Sequence, residues 1–266
     1  MMAATTVEGS AERWGTRWGA WAAEWAATEE QQLPTYEEAI RRLEIGKEAN
    51  VLEVGCGSGV FLRAAADRGA RVTGLDASHE LIELARARVP EADLRVGDLQ
   101  FLPYADDMFD VVAGFNAFFF AADMVAALRD AGRVARAGGA VVIQVWGRHG
   151  RCSLDGIKPI VRPFFPGFDP DAPPPPDLAE PGVLEQIATA AGLTPSDVFD
   201  VSWAYAYGDD DALARSLLSA AGIGAAAGER EPEVRAALLE ALAAYRTPDG
   251  GYLLENEWHV LIATAR

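Results

Sequence analysis

The chain has 266 residues, half of them hydrophobic, which is enough for one sizeable core with an appended cap. Its 23 basic and 40 acidic residues give a formal net charge of −17, which repels phosphate backbones and argues against a nucleic-acid substrate. Two cysteines, Cys56 and Cys152, exclude a disulfide framework and a cysteine metal site, and the longest apolar runs, such as Val141 to Val145, are far too short for a membrane span.

Residues 1–9 are expected to be disordered. The N-terminus lacks the basic-then-apolar layout of a signal peptide, so a cytoplasmic chain is the default. Lysine occurs only at Lys47 and Lys158 while arginine is frequent, which suggests a GC-rich bacterial genome. Trp14, Trp18, Trp21 and Trp25 recur at spacings of four, three and four, which puts one indole wall within about 60° on a helix. Gly15 and Gly19 weaken that helix by about 1 kcal/mol each, so it needs tertiary packing, either as core or as a lid over a ligand. Thr35 and Glu38 read as a capping box behind Pro34, opening a helix that ends near Ile45 at Gly46.

Val51-Leu52-Glu53-Val54-Gly55-Cys56-Gly57-Ser58-Gly59 is a short apolar strand running into a glycine-rich turn, with the helical pattern Val60, Phe61, Ala64, Ala65 directly behind. Strand, glycine turn and helix form the first unit of a doubly wound α/β domain. The glycines admit a ligand to the backbone where a Cβ would block it. A dinucleotide fingerprint needs a third glycine where Val60 stands. Further strands are predicted near 71–76, 93–97, 109–114 and 139–146, joined by helices near 58–68, 79–88 and 123–135; this alternation means a mainly parallel sheet with helices on both faces. Asp76 closes the second strand, where a carboxylate can accept from both hydroxyls of a ribose. Leu94, Val96 and Gly97 lead to Asp98 and Leu99, and Leu102-Pro103-Tyr104-Ala105-Asp106-Asp107-Met108-Phe109-Asp110 follows.

The G-x-G-x-G run behind Glu53 resembles motif I of class I S-adenosylmethionine-dependent methyltransferases. Residues 102–112 resemble the L-P-F-x-D-x-S-F-D segment of their ubiquinone/menaquinone-biosynthesis-like branch, with Tyr104 and Met108 as departures. The resemblance covers about residues 50–147. It implies a Rossmann-like, seven-stranded, mostly parallel sheet with an antiparallel last strand. The implied cofactor is S-adenosyl-L-methionine, bound by Glu53, Gly55, Cys56, Gly57, Asp76, Ala77, Asp98, Leu99 and Asn116, with Asp98 and the next N–H on the adenine edge. Asn116, at the carboxyl end of the fourth strand, suits the methionyl ammonium and carboxylate. Phe118 to Phe120 are either core or the wall of an apolar acceptor pocket.

After the fifth strand, His149 lies at the ligand edge and is a candidate general base; Glu257, at the start of the last strand, is a second. Residues 156–181, with four prolines from Pro173 to Pro176, read as an extended arm over the pocket rim. A helix follows over 182–191, then a sixth strand over 198–207 with Phe199, Val201, Trp203, Tyr205 and Tyr207 on one face. The division is then an N-terminal helical lid (1–47), a core (48–207 and 250–266), and an inserted helical lid (208–249). Its two helices fall near 210–221 and 232–245, and residues 252–265 form the last strand. The expected activity is in-line methyl transfer to a small, hydrophobic or aromatic acceptor, with no metal, nucleic acid or membrane span and the oligomeric state open. The alternatives are a binding protein for S-adenosylmethionine or S-adenosylhomocysteine without turnover, and a nicotinamide-dependent oxidoreductase.

Overall fold

In the computed structural model, which describes residues 9–173 and 175–266, Val51, Leu52 and Val54 of β1 (Asn50–Val54) have no exposed surface, because helices cover both faces of the sheet. Strand β1 pairs in parallel with β2 (Arg71–Asp76) and β4 (Phe109–Phe115); β3 (Asp93–Val96) pairs in parallel with β2, and β5 (Ala135–Trp146) with β4. β7 (Tyr252–Thr264) runs antiparallel between β5 and the edge strand β6 (Thr194–Tyr207). The described residues thus form a seven-stranded sheet in the order β3-β2-β1-β4-β5-β7-β6, the arrangement expected of a Rossmann-like methyltransferase fold. Pro195 is tolerated inside β6 because that strand is an edge and its register shifts there.

On one face, Val51, Ala113, Phe115, Val142 and Val260 pack under α3 (Leu33–Arg42), α4 (Val60–Ala66) and α5 (His79–Arg88). Leu52, Val112, Ile143, Val145 and Leu261 point the other way, onto α6 (Met124–Val134) and α8 (Val183–Ala190). The alternation of each strand fixes which residue faces which layer. Between β6 and β7 lie α9 (Asp210–Ser219), α10 (Ile223–Ala227) and α11 (Glu231–Ala241). Their Leu213, Leu217 and Leu238 close over Tyr205, Tyr207 and Trp258 as a third apolar cluster.

Three sequence expectations need correction. The tryptophan stretch is broken into α1 (Ala11–Gly19) and α2 (Ala22–Ala26), with Trp21 at a non-helical φ of −131°. Trp14 and Trp18 meet Phe120 and Trp18 packs on Trp25 at 4.8 Å between ring centroids, whereas Trp21 meets Gly224 of the lid, so three of the four indoles keep a common wall and Trp21 leaves it. No capping box forms at Thr35, because α3 already begins at Leu33 with Pro34 in its first turn; Glu38 pairs with Arg41 and Arg42 instead. The start of the proline-rich arm is helical rather than extended: a 3-10 turn over Ser153–Ile157, α7 (Lys158–Val161) and a second turn over Arg162–Phe164. Prolines 159 and 163 sit in the first turns of these short helices, where their missing N–H costs nothing. The expectation for residues 1–9 falls, apart from Gly9, outside the described residues.

Candidate functional site

The glycine-rich turn stands at the carboxyl end of β1, with Gly55, Gly57 and Gly59 at φ of 73°, 52° and 82°. A residue with a Cβ is disfavoured there by about 1–2 kcal/mol. Contacts add to the demand at Gly57, since a Cβ would lie 2.6 Å from a Glu29 carboxylate oxygen. The turn is tied to β2 through Asp76, whose carboxylate accepts from the Gly57 N–H at 2.9 Å and the Ser78 N–H at 2.8 Å. Cys56 is fully buried, and burial pushes its thiol well up, so it is a small filler rather than a nucleophile.

Residues Glu29–Gln32, a single 3-10 turn, cross the ligand edge of the sheet as a strap. Glu29 accepts from the Ser58 N–H at 2.8 Å and the Ser58 hydroxyl at 2.6 Å. Arg88 of α5 donates to Glu30 at 2.8 Å, the Ala206 N–H of β6 to Gln31 at 2.8 Å, and Asn116 Nδ2 to Gln32 at 3.1 Å. Each strap side chain therefore holds a different element, and the strap joins the ends of β1, β4 and β6. Asn116 sits at φ 52° directly after β4, and its Oδ1 is buried without a partner among the described residues.

Three carboxyl groups, those of Glu29, Glu53 and Asp76, gather at this strap, 3%, 1% and 8% exposed. Burial pushes Glu29 up to about 7 against the hydrogen bonds from Ser58. It pushes Glu53 well above the usual carboxylate range, with the charges of Glu29 and Asp76 adding to the effect. Asp76 is raised by burial too, against its backbone N–H bonds. Glu53 Oε2 has no partner among the described residues. Buried carboxylates short of cations are costly unless a positive ligand joins them. A ligand that carries a sulfonium and an ammonium would suit this cradle, and a pyrophosphate would not. Among the described residues no group of three ligating side chains is placed to hold a metal ion.

The ends of β2 and β3 lie under α1. Asp98, after β3, accepts from the Ala11 N–H at 2.8 Å and the Gln100 N–H at 2.8 Å, so the first turn of α1 is anchored on it. Gly15 lies so close to Ala77 that a Cβ would approach its carbonyl oxygen to 2.2 Å. Gly19 likewise faces the Glu80 carboxylate. These glycines, which weaken the isolated helix, are what lets it lie flat on the end of β2. Arg17 then ties α1 to both other covering segments, donating to the Ala221 carbonyl at 3.0 Å and the Phe164 carbonyl at 2.8 Å. Phe118 is core beneath Gly114, whereas Phe120 packs on Trp14 at 4.6 Å between ring centroids. Leu99 is half-buried beside Asp98.

The two base candidates part company. The His149 side chain is 79% exposed, 3.8 Å from Asp155. Glu257 is buried midway along β7, opposite Ser202 of β6, rather than at the start of that strand as expected, and its Oε1 has no partner among the described residues. Sequence reading passed over His259, two residues on and on the same side of the strand. Its Nδ1 lies 2.6 Å from Asp200 of β6, and its buried Nε2 has no partner among the described residues. The signal was a polar pair alternating inward on an apolar strand. The strap left no comparable signal.

A proton linkage follows from Glu29. Its folded value of about 7 exceeds the ordinary 4.5, so the neutral form is favoured in the fold. The resulting stabilisation is complete below 4.5 and is lost as pH rises through about 7. A bound cation reverses the preference. Cofactor binding is therefore expected to release protons between pH 4.5 and about 7, with affinity rising across that window. Calorimetry in buffers of different ionisation enthalpy reads this directly; Glu29→Gln should remove the part centred near pH 7, and an unchanged profile in that variant would place the titrating group elsewhere.

The fold and this edge define a class I methyltransferase architecture. A family model described as a methyltransferase domain matches residues 52–143. An uncharacterised Mycobacterium tuberculosis protein, Rv1405c, is 33% identical over 150 residues, 55% of this chain and 54% of the relative. The malonyl-[acyl-carrier protein] O-methyltransferase of Serratia marcescens is 34% identical over 92 residues, 35% of this chain and 36% of the relative. The chain thus spans about half or less of the length of these curated relatives. Among solved structures, a chain from the Haloferax volcanii complex of the Trm112 methyltransferase activator with its methyltransferase partner aligns with a TM-score of 0.62. That alignment covers 94% of this chain and 96% of the other at 22% identity, a likeness of fold alone. Residues 52–143 belong to the class I S-adenosylmethionine-dependent methyltransferase family, and the sheet around them is that family's fold. Among the described residues no helix is long and apolar enough to cross a membrane.

Proposed function

We propose that the chain transfers the methyl group of S-adenosyl-L-methionine to a small acceptor carrying an aromatic or apolar body. The observation that carries this reading is the meeting of Glu29, Glu53 and Asp76 at a turn whose Gly57 has no room for a Cβ. When bound, the cofactor supplies an already electrophilic sulfonium carbon, and the protein supplies binding, orientation and dryness. Asp76 would accept from the ribose hydroxyls and Asp98 from the adenine amine. Glu29 and Glu53 would face the ammonium, and Asn116 would turn its unpartnered Oδ1 to the same group. Holding acceptor and methyl in line can account for about 7–11 kcal/mol of the barrier.

Water exclusion falls to the covering segments. Charge is neutralised in the transfer, so a dry site favours it. Trp14, Trp18 and Phe120 wall the edge from one side, and the lid helices close it from the other. Where the acceptor arrives protonated, the exposed His149 is poorly placed to take the proton, and Glu257 is buried on the face of β7 opposite Trp258, which favours transfer without a dedicated general base. The likeness of residues 102–112 to the quinone-biosynthesis branch supports a ring-bearing acceptor. A nicotinamide cofactor would set its pyrophosphate against the three carboxylates, which disfavours that alternative.

The test is titration of Asp76→Ala with S-adenosylmethionine. A buried charged hydrogen bond is worth about 1.5–3 kcal/mol, so affinity should fall at least about tenfold. Parent-like binding by both Asp76→Ala and Asp98→Ala would move the adenosine pocket away from this edge.

A further inference from the structure

Strands β5 and β7 carry polar side chains where their neighbours on the same face are apolar. Gln144 lies beyond Val142 on the face of Phe115 and Val260, 1% exposed, and neither its Oε1 nor its Nε2 has a partner among the described residues. Trp258 is fully buried between Trp146, at 5.7 Å between ring centroids, and Tyr205, at 5.4 Å; its Nε1–H has no acceptor among the described residues. Asn256 is 1% exposed; its Nδ2 donates to the Leu254 carbonyl at 3.0 Å, while its Oδ1 is unpartnered among the described residues. In the register of the sheet Trp146 faces Trp258 and Gln144 faces Val260. The three polar residues therefore share one sheet face, with successive members about 7 Å apart.

This row adjoins the cofactor edge. Glu53 projects from the same face, and Tyr36 of α3 packs on Phe115 at 4.6 Å. Burial first, then the nearby charges of Glu29, Glu53 and Tyr205, raise the Tyr36 phenol. The charges facing the row are acidic. Arg148, the cation that follows β5, turns to Asp200 on the opposite face at 3.6 Å. Buried amides and an indole N–H left unpaired cost stability unless something meets them. What meets these must offer both donors and acceptors, lie flat against aromatic rings and carry no negative charge.

We propose that Gln144, Asn256 and Trp258 form the acceptor-recognition row, and that the acceptor presents a neutral hydroxyl or carboxamide on an aromatic body. This rests on the methyltransferase reading and adds the acceptor class to it. The lid helices α9 and α11 close over Trp258 at one end of the row, so the acceptor enters when they part.

The test titrates 2-naphthol, 2-naphthamide and 2-naphthoate into the full chain saturated with S-adenosylhomocysteine. The two neutral probes are expected to bind, and the carboxylate at least about tenfold more weakly. The double variant Gln144→Met with Asn256→Leu should bind S-adenosylhomocysteine like the parent and melt above it, because it no longer buries unpaired amides. It should lose at least about tenfold in affinity for the neutral probes. Trp258→Phe, which keeps the stacked ring and removes only the N–H, should lose neutral-probe affinity as well. Equal or tighter binding of 2-naphthoate, no binding of either neutral probe, or unchanged neutral-probe affinity in the variants would overturn the assignment. A double variant that melts below the parent would also overturn it, by making the amides structural. Failure of the parent to bind S-adenosylhomocysteine would instead strike the cofactor reading beneath it.

Discussion

Replacing Gly57 with valine is expected to lower S-adenosylmethionine affinity at least about a hundredfold while leaving the sheet folded. Two effects combine. The φ of 52° disfavours a β-branched residue, by at least about 1–2 kcal/mol. The added side chain would also enter the space of the Glu29 carboxylate, 2.6 Å from a Cβ, and displace the strap from Ser58. Blocking the close backbone approach at the turn and displacing the Glu29 carboxylate together would disrupt the proposed ammonium site. Calorimetry reads the affinity, and a cooperative melt shows that the variant is folded. Binding unchanged in a folded Gly57→Val variant would remove the glycine turn from the cofactor site.

Removal of residues 1–28 should speed S-adenosylhomocysteine dissociation on the order of a hundredfold, since losses at a covered site fall mainly on the off-rate. The deletion spares the strap, which begins at Glu29. It strips α1 from Asp98 and Ala77 and cuts the Arg17 ties to Ala221 and Phe164. Thermal stability should change far less, because Trp14 and Trp18 are only half-buried and, among the described residues removed, only the half-buried Trp21 packs against one of the three main apolar clusters. Stopped-flow fluorescence reads the dissociation rate. Hydrogen exchange should show α1 slowed by S-adenosylhomocysteine along with Gly55 to Gly59. Exchange in α1 that is already fully protected and indifferent to ligand would make the helix part of the core rather than a cover.

The parallel core was legible because each unit there is local. An apolar run, a glycine turn and a helical period sit within about 15 residues at Val51 to Ala65, and only one arrangement satisfies all three. The places of Asp76 and Asp98 in the fold were legible for the same reason, since Asp76 closes β2 and Asp98 stands two residues beyond β3. The strap was not legible. Glu29, Gln31 and Gln32 hold partners 29, 175 and 84 residues away, and a run of two glutamates and two glutamines carries no periodic signal. Thr35 matched a local capping pattern that packing overrode, since Thr35 is completely buried within α3. The tryptophan spacing was read correctly as helical, but the break at Trp21 comes from its contact with Gly224 across the lid, which spacing cannot report. Gln144 and Asn256 did leave a trace, as amides at inward positions of apolar strands. Weighing burial against polarity along Val141 to Trp146 would have found the first of them.

The most direct measurement is a crystal structure of the chain with S-adenosylhomocysteine. Expected are ribose hydroxyls on Asp76, the adenine amine on Asp98 with the start of α1 shifted to share it, and the ammonium among Glu29, Glu53 and Asn116. The product lodged away from the Gly55 to Gly59 turn, for instance in the hollow at the opposite sheet edge between Ile45 and Gly139, would contradict the account.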